Sequence, residues 1–238
     1  FYVLKYKNPI SMRAYDNNHE LVNVYKQVRN NVKLLIKELK ILENGHDNSE
    51  DPKSYYYKKR TEFNTISKNK VKKAALFIYL NKSCFNGLFR VNSKGEFNVP
   101  FNGDKEIKLF DRSNLMEASN LLKNVQFEAK DFRSINFRKN DCVYFDPPYW
   151  SEPESKGFTS YTNPVFNKQS QQELAKIFKS LYNKGCKVIL SNSNTKLIRE
   201  MYGHPFFNLY DNIEARRMIN CNGDGRHKIN EVLITANF

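Results

Sequence analysis

Val143-Tyr144-Phe145-Asp146-Pro147-Pro148-Tyr149 reads as an apolar strand that ends on a carboxylate. Two consecutive prolines remove two amide donors and stiffen the backbone, so the segment leaves the sheet there and displays Asp146 beside the Tyr149 ring on a rigid turn. Outward from this point the chain alternates. Upstream lie a helix at about Arg112 to Leu122 and the strand-like Gln126-Phe127-Glu128-Ala129. Downstream come a helix over Gln169 to Lys184, a strand Lys187 to Ser191, a helix at Thr195 to Tyr202, and a closing pair near Leu209 to Met218 and Glu231 to Ala236. Strands alternating with helices imply an α/β fold with a mostly parallel, doubly wound sheet, whose ligands bind beyond the carboxyl ends of the strands. Asp146 stands at such an end.

The first half of the chain is more helical. His19 to Leu42 carries apolar residues at Leu21, Val24, Val28, Val32, Leu35, Ile36 and Leu39, the spacing of a helix that buries one face. A polar, turn-rich stretch, Asn44 to Lys53, leads into Ser54 to Thr61, where aromatics mix with cations, and then to a helix at roughly Val71 to Leu80. Between Asn81 and Asn102 the character changes: Leu88-Phe89-Arg90-Val91 and Glu96-Phe97-Asn98-Val99 flank a Ser-Lys-Gly turn, which predicts a hairpin.

Composition bounds the reading. At 238 residues the chain amounts to about one and a half domains, and 40% hydrophobic residues with 9 Gly and 8 Pro exclude disordered and collagen-like classes. Lys+Arg 39 against Asp+Glu 25 leaves a net charge of +14, which attracts polyanions and is also what a lysine-rich proteome produces. Cys84, Cys142, Cys186 and Cys221 form no CxxC pair and no zinc-site spacing with histidine, so reduced cysteines and no metal are expected. The 4 histidines form no triad. Apolar runs such as Leu76 to Leu80 are too short to span a bilayer, and no signal-peptide pattern is seen, so no membrane association is expected.

The chemistry of the Asp-Pro-Pro-Tyr turn is specific. An amine conjugated to a purine ring is a poor nucleophile; hydrogen bonds to Asp146 and to a carbonyl of the Pro-Pro turn favour a pyramidal nitrogen and stabilise the charge that develops on alkylation, while Tyr149 can stack on the base. The bland alternative is a solvated Asp before an ordinary proline turn. In this context the segment resembles motif IV of the amino-methyltransferases that use S-adenosylmethionine.

Asn81-Lys82-Ser83-Cys84-Phe85-Asn86-Gly87-Leu88-Phe89-Arg90-Val91-Asn92-Ser93-Lys94-Gly95-Glu96-Phe97-Asn98-Val99-Pro100-Phe101 sharpens the resemblance. It is similar to the target-recognition hairpin of Dam-type DNA adenine methyltransferases of the D12 class, and further segments match through nearly all the chain: Ala14-Tyr15-Asp16-Asn17-Asn18, Asp131-Phe132 and Gly157-Phe158-Thr159-Ser160-Tyr161. The resemblance implies a Rossmann-like, S-adenosylmethionine-dependent methyltransferase sheet with an inserted helical and hairpin target-recognition domain, and the 6-amino group of adenine in a GATC-like site of double-stranded DNA as the methyl acceptor. Residues 1–52 and 125–238 then form the catalytic domain and 53–124 the recognition domain.

By the same resemblance Asp146, Pro147, Pro148 and Tyr149 are catalytic. Asp16, Asp131, Phe132 and Asp146 bind the cofactor, Asp16 through the ribose hydroxyls; an Asp before a helix also reads as an N-cap. Arg90 reads a guanine by a bidentate contact, and Phe85 wedges into the stack beside a flipped adenine. Leu88 and Pro100 touch bases, and Lys82, Asn86, Asn92 and Asn98 lie near base or phosphate. Core packing is the other reading of Phe85 and Leu88. Asn222-Gly223-Asp224-Gly225-Arg226-His227-Lys228 resembles the loop of the family's closing hairpin. Asn102-Gly103-Asp104 departs from the pattern, in which glycine and a basic residue usually follow directly.

The family's Phe-x-Gly-x-Gly cofactor loop does not occur within these residues. Phe1-Tyr2-Val3-Leu4 resembles the helix that follows that loop, so the sequence reads as a family member cut just downstream of it. Three functions are therefore carried forward: an adenine methyltransferase acting in a bacterial or phage-infected cytoplasm, in restriction-modification or another role; a DNA-binding protein without competent cofactor binding; and a methyltransferase of RNA adenine or protein amides.

Overall fold

The apolar spacing read from His19 onward becomes a long helix with a kink at Asn31, where φ −135° and ψ 33° leave helical geometry, and a partner helix covers its buried stripe. The computed structural model describes residues 2–7, 11–150, 166–216 and 228–238, which divide into two compact units, Phe1–Asp131 and Phe132–Phe238. The first unit holds α1 (Tyr2–Lys7), β1 (Met12–Asp16), α2 (His19–Asp47), α3 (Pro52–Thr65), α4 (Lys70–Ser83), α5 (Arg112–Leu121) and β2 (Val125–Ala129). Leu35, Leu39, Leu42, Tyr56, Leu76, Tyr79 and Leu80 are buried at its centre.

α2 begins at Asn18, whose side chain accepts from the amides of Glu20 and Leu21, satisfying two orphan donors of the first turn. It runs past the expected Leu42 because its polar end is packed. Gly45 lies so close to Tyr55 that a Cβ there would stand 2.3 Å from the phenol oxygen. His46 is fully buried, with Nδ1 2.9 Å from the Tyr79 hydroxyl and Nε2 3.1 Å from the Asp104 carbonyl. A carbonyl only accepts, so Nε2 donates to Asp104.

The predicted hairpin is real but barely laddered, with bridges only at Val91/Phe97 and Cys84/Phe101. What fixes it is α3. Tyr56, Arg60 and Asn64, one turn apart on one face, all bind its second arm: Tyr56 Oη and Arg60 Nη1 donate to the Val99 carbonyl, and the Asn64 amide both donates to and accepts from the Phe97 backbone. Tyr56→Phe removes one buried donor while Arg60 still serves Val99, so the expected cost is about 1 kcal/mol, or roughly 2–4 °C in Tm by thermal melting. An unchanged Tm would show that this contact adds nothing to holding the arm.

The second unit carries β3 (Cys142–Phe145), α6 (Lys168–Asn183), β4 (Lys187–Ser193), α7 (Lys196–Tyr202), β5 (Asn208–Arg216) and β6 (Lys228–Ala236). Phe145, Leu174, Phe178, Leu190, Ile198, Tyr202 and Ile234 form its core. β1 pairs with β2 in parallel, and β3 pairs with β4 in parallel, while β4, β6 and β5 are antiparallel. The architecture is mixed α/β. The loop segments 157–161 and 222–227 singled out in the sequence lie outside the described residues.

Candidate active site and DNA-recognition hairpin

Parallel strands end together, and in both units the acidic candidates sit where they end. In the first, Asp16 closes β1 opposite Ala129 of β2, and the Lys130 amide donates to the Asp16 carbonyl, which places Asp131 just beyond the same edge. Asp16 is exposed and its Oδ1 accepts the Asn18 amide at 2.6 Å. The helix cap is Asn18, not Asp16. Phe132 opens a short 3-10 turn at the start of the second unit, with the Arg133 guanidinium 4.5 Å from its ring centre.

Asp146 follows β3, and the end of β4 lies alongside it. The Ser191 hydroxyl donates to Asp146 Oδ1 at 3.0 Å. Ser191 has one proton, which the carboxylate takes, so the Tyr144 hydroxyl, 3.0 Å from Ser191 Oγ, must donate to it. This chain of hydrogen bonds runs from Tyr144 through Ser191 to Asp146 and orients the carboxylate. Tyr149 is half-buried, and its hydroxyl donates to Glu231 Oε2 at 3.3 Å. Burial, reinforced by the charges of Glu231 and Asp146, pushes its phenol above the ordinary range, so it remains a neutral donor at physiological pH.

The hairpin within residues 81–101 belongs to the first unit. Asn86 and Gly87 both have left-handed backbone, φ 54° and 61°; for Asn86 this conformation is uncommon. They make the sharp corner next to Phe85, whose amide is held by the Pro100 carbonyl. Phe85 and Phe89 are similarly exposed, yet Phe89 lies against Phe77 and Phe97. Among the described residues no ring lies against Phe85. Leu88 is partly buried against the core of the unit, and Lys82 and Pro100 are exposed.

Arg90 is braced by Asn98, whose Oδ1 accepts from Nε at 2.8 Å and whose carbonyl lies 3.4 Å from Nη2. Asn92 closes the turn: its Oδ1 accepts the amides of Lys94 and Glu96, and its amide group donates to the Glu96 carboxylate. The side chains of Asn92 and Asn98 thus have internal work in the hairpin. Ser191 and Glu231 belong to no motif in the sequence, and Tyr144 reads there only as part of the apolar strand; for Ser191 the signal is the polar Ser-Asn-Ser that ends the apolar Val188-Ile189-Leu190.

The family model for the D12 class N6 adenine-specific DNA methyltransferases matches residues 1–219. The chain belongs to that family and is an adenine-specific DNA methyltransferase, with DNA as its substrate. It is 43% identical to the type II methyltransferase M.MjaIII of Methanocaldococcus jannaschii over 98% of this chain and 83% of that protein. It is 37% identical to the type II methyltransferase M1.LlaDCHI of Lactococcus lactis subsp. cremoris, over 92% of this chain and 77% of that one. It is also 34% identical to the DNA adenine methylase of Serratia marcescens, over 92% and 79%. The reaction requires a methyl donor. Among the described residues no helix is long and apolar enough to cross a membrane, and no group of three or more His, Cys, Asp or Glu is placed to hold a metal.

Proposed function

We propose that the protein methylates the 6-amino group of adenine within GATC in double-stranded DNA, taking the methyl group from S-adenosylmethionine after extruding the base. The observation that carries this reading is Asp146 at the carboxyl end of β3, aimed by Ser191 and followed by two prolines. The reading treats residues 53–124 as the target-recognition region. The doubly wound, Rossmann-like fold stays part of the reading, supported within each unit by acidic residues at the carboxyl end of a parallel strand pair.

The donor set suits S-adenosylmethionine. Asp16 is not consumed as a helix cap, and an exposed carboxylate at a strand end can accept two vicinal ribose hydroxyls; Asp131 can accept the adenine amino group, with the Phe132 ring nearby. When bound, the cofactor supplies an electrophilic methyl on a sulfonium. Asp146 accepts a hydrogen bond from the target amino group and stabilises the positive nitrogen until its proton passes to solvent, and Tyr149 offers a stacking face to the flipped base. Phe85, which lacks a ring partner among the described residues, fills the gap in the stack, offsetting roughly a few kcal/mol of unstacking. Arg90, held at Nε, presents its Nη donors to guanine O6 and N7. Leu88 and Pro100 meet bases, and Lys82, Asn86, Asn92 and Asn98 lie at the backbone or base edges.

The test is a competition for labelled methyl among duplex DNA, RNA and protein. Label entering duplex adenine N6 is expected; label entering RNA or a protein amide instead overturns the reading. Lys82→Ala is expected to weaken binding about equally on all sequences and to reduce the slope of log K against log salt by about 1. An unaltered slope in a salt titration would remove Lys82 from the phosphate contacts.

A further inference from the structure

Asn192 and Gln171 are primary amides buried to 0% and 1% exposure, where apolar side chains would cost less to bury. Every polar atom of the pair is used. Asn192 Oδ1 accepts the amides of Trp150 at 3.0 Å and Ser193 at 2.8 Å, and its Nδ2 donates to Gln171 Oε1 at 3.2 Å. Gln171 Nε2 donates to the Pro148 carbonyl at 2.9 Å. The orientation is unambiguous: the two backbone amides facing Asn192 only donate and the Pro148 carbonyl only accepts, so oxygen and nitrogen are placed without choice. The Ser193 hydroxyl, next in the chain, donates to the Trp150 carbonyl.

These bonds grip the Asp-Pro-Pro-Tyr-Trp segment at two points. Pro147 and Pro148 have no amide proton, so the segment cannot be held by donors of its own between Asp146 and Tyr149. Its Pro148 carbonyl and Trp150 amide are the groups the buried pair takes. Ser191 holds Asp146 directly, whereas Asn192 and Gln171 bond to backbone and to each other, with the Ser193 hydroxyl 3.4 Å from Asn192 Oδ1.

We propose that Asn192 and Gln171 are positioning residues for methyl transfer, a buried amide clamp that keeps the Asp146–Tyr149 turn in one shape. This rests on the reading of Asp146 as the acceptor of the target amino group. Misplacing a reacting group by about 1 Å costs on the order of 100-fold in rate, so a looser turn slows chemistry more than it weakens binding.

The test compares Gln171→Met, which keeps volume and removes both hydrogen bonds, with Asn192→Asp, which turns the donor facing Gln171 into an acceptor. Single-turnover rate constants per titrated active site are measured on a GATC duplex at saturating S-adenosylmethionine, together with the duplex Kd. Each variant is expected to lose about 10–100-fold in the rate constant, with Kd within about 2-fold, and the double variant to lose less than the product of the two. A wild-type rate per active site, with lost activity tracking only the folded fraction, overturns the clamp. If Asn192→Asp does not fold, Gln171→Met decides alone. Asp146→Ala runs alongside: if it transfers methyl at the wild-type rate, the reading of Asp146 fails; if it is inactive while the clamp variants keep the wild-type rate, only the clamp fails.

Discussion

Asp146→Ala is expected to reduce methyl transfer by at least about 10³-fold, roughly 4 kcal/mol of transition-state stabilisation, while leaving duplex affinity within a few-fold. The size follows from where the charge develops. In the proposed mechanism the amino nitrogen becomes positive as the new nitrogen–carbon bond forms, and it is met by the carboxylate that the Tyr144–Ser191 chain orients. The variant should fold: Asp146 is exposed, and substitutions at exposed positions away from caps and cores usually change stability by about 0.5 kcal/mol or less. The check pairs single-turnover transfer with a binding titration on the same duplex. Retained transfer would contradict the assigned role, and binding lost in step with transfer would show a structural one.

Arg90→Ala is expected to relax selection at one guanine. A bidentate arginine–guanine contact discriminates by about 1–3 kcal/mol, so kcat/KM on the cognate duplex should fall about 10–100-fold, while on a duplex altered at that base pair it should hardly change. The bracing by Asn98 makes the expectation sharper, because one edge of the guanidinium is already committed and its remaining Nη donors have a defined direction. Measuring kcat/KM on duplexes changed one base pair at a time identifies the position read. A uniform loss on all of them would make Arg90 a phosphate contact and not a reader of sequence.

Much of this site was legible because its chemistry is local. Asp146 declares itself through the apolar strand before it and the prolines after it, and the hairpin through its Ser-Lys-Gly turn. The stripe from Leu21 to Leu39 announces α2. Its last turn was hidden, since Asn44-Gly45-His46-Asp47 has the composition of a loop and is helical only because Tyr55, Tyr79 and the Asp104 carbonyl receive it; tertiary packing overrides weak local propensity. From the sequence β4 ends at Ser191, and it runs to Ser193 for a related reason. Asn192 and Ser193 look like the start of a loop, and their burial becomes visible only once Gln171 and Trp150, distant in sequence, are beside them. Asp16 reads from sequence as a cap or as a ligand, and the cap geometry at Asn18 removes the first reading. Hairpin asparagines look like surface contacts from sequence, while Asn92 and Asn98 also do structural work that spacing does not reveal.

The central claim, adenine N6 methylation directed by the Arg90 hairpin and carried out at the Asp146 turn, is tested most directly by mapping the product. A pool of duplexes containing every tetranucleotide is incubated with the protein and S-adenosylmethionine, and the modified positions are sequenced and their nucleosides identified by mass. The account predicts N6-methyladenine concentrated in GATC. Methyl groups on another base, or spread over adenines without regard to a flanking guanine, would contradict it.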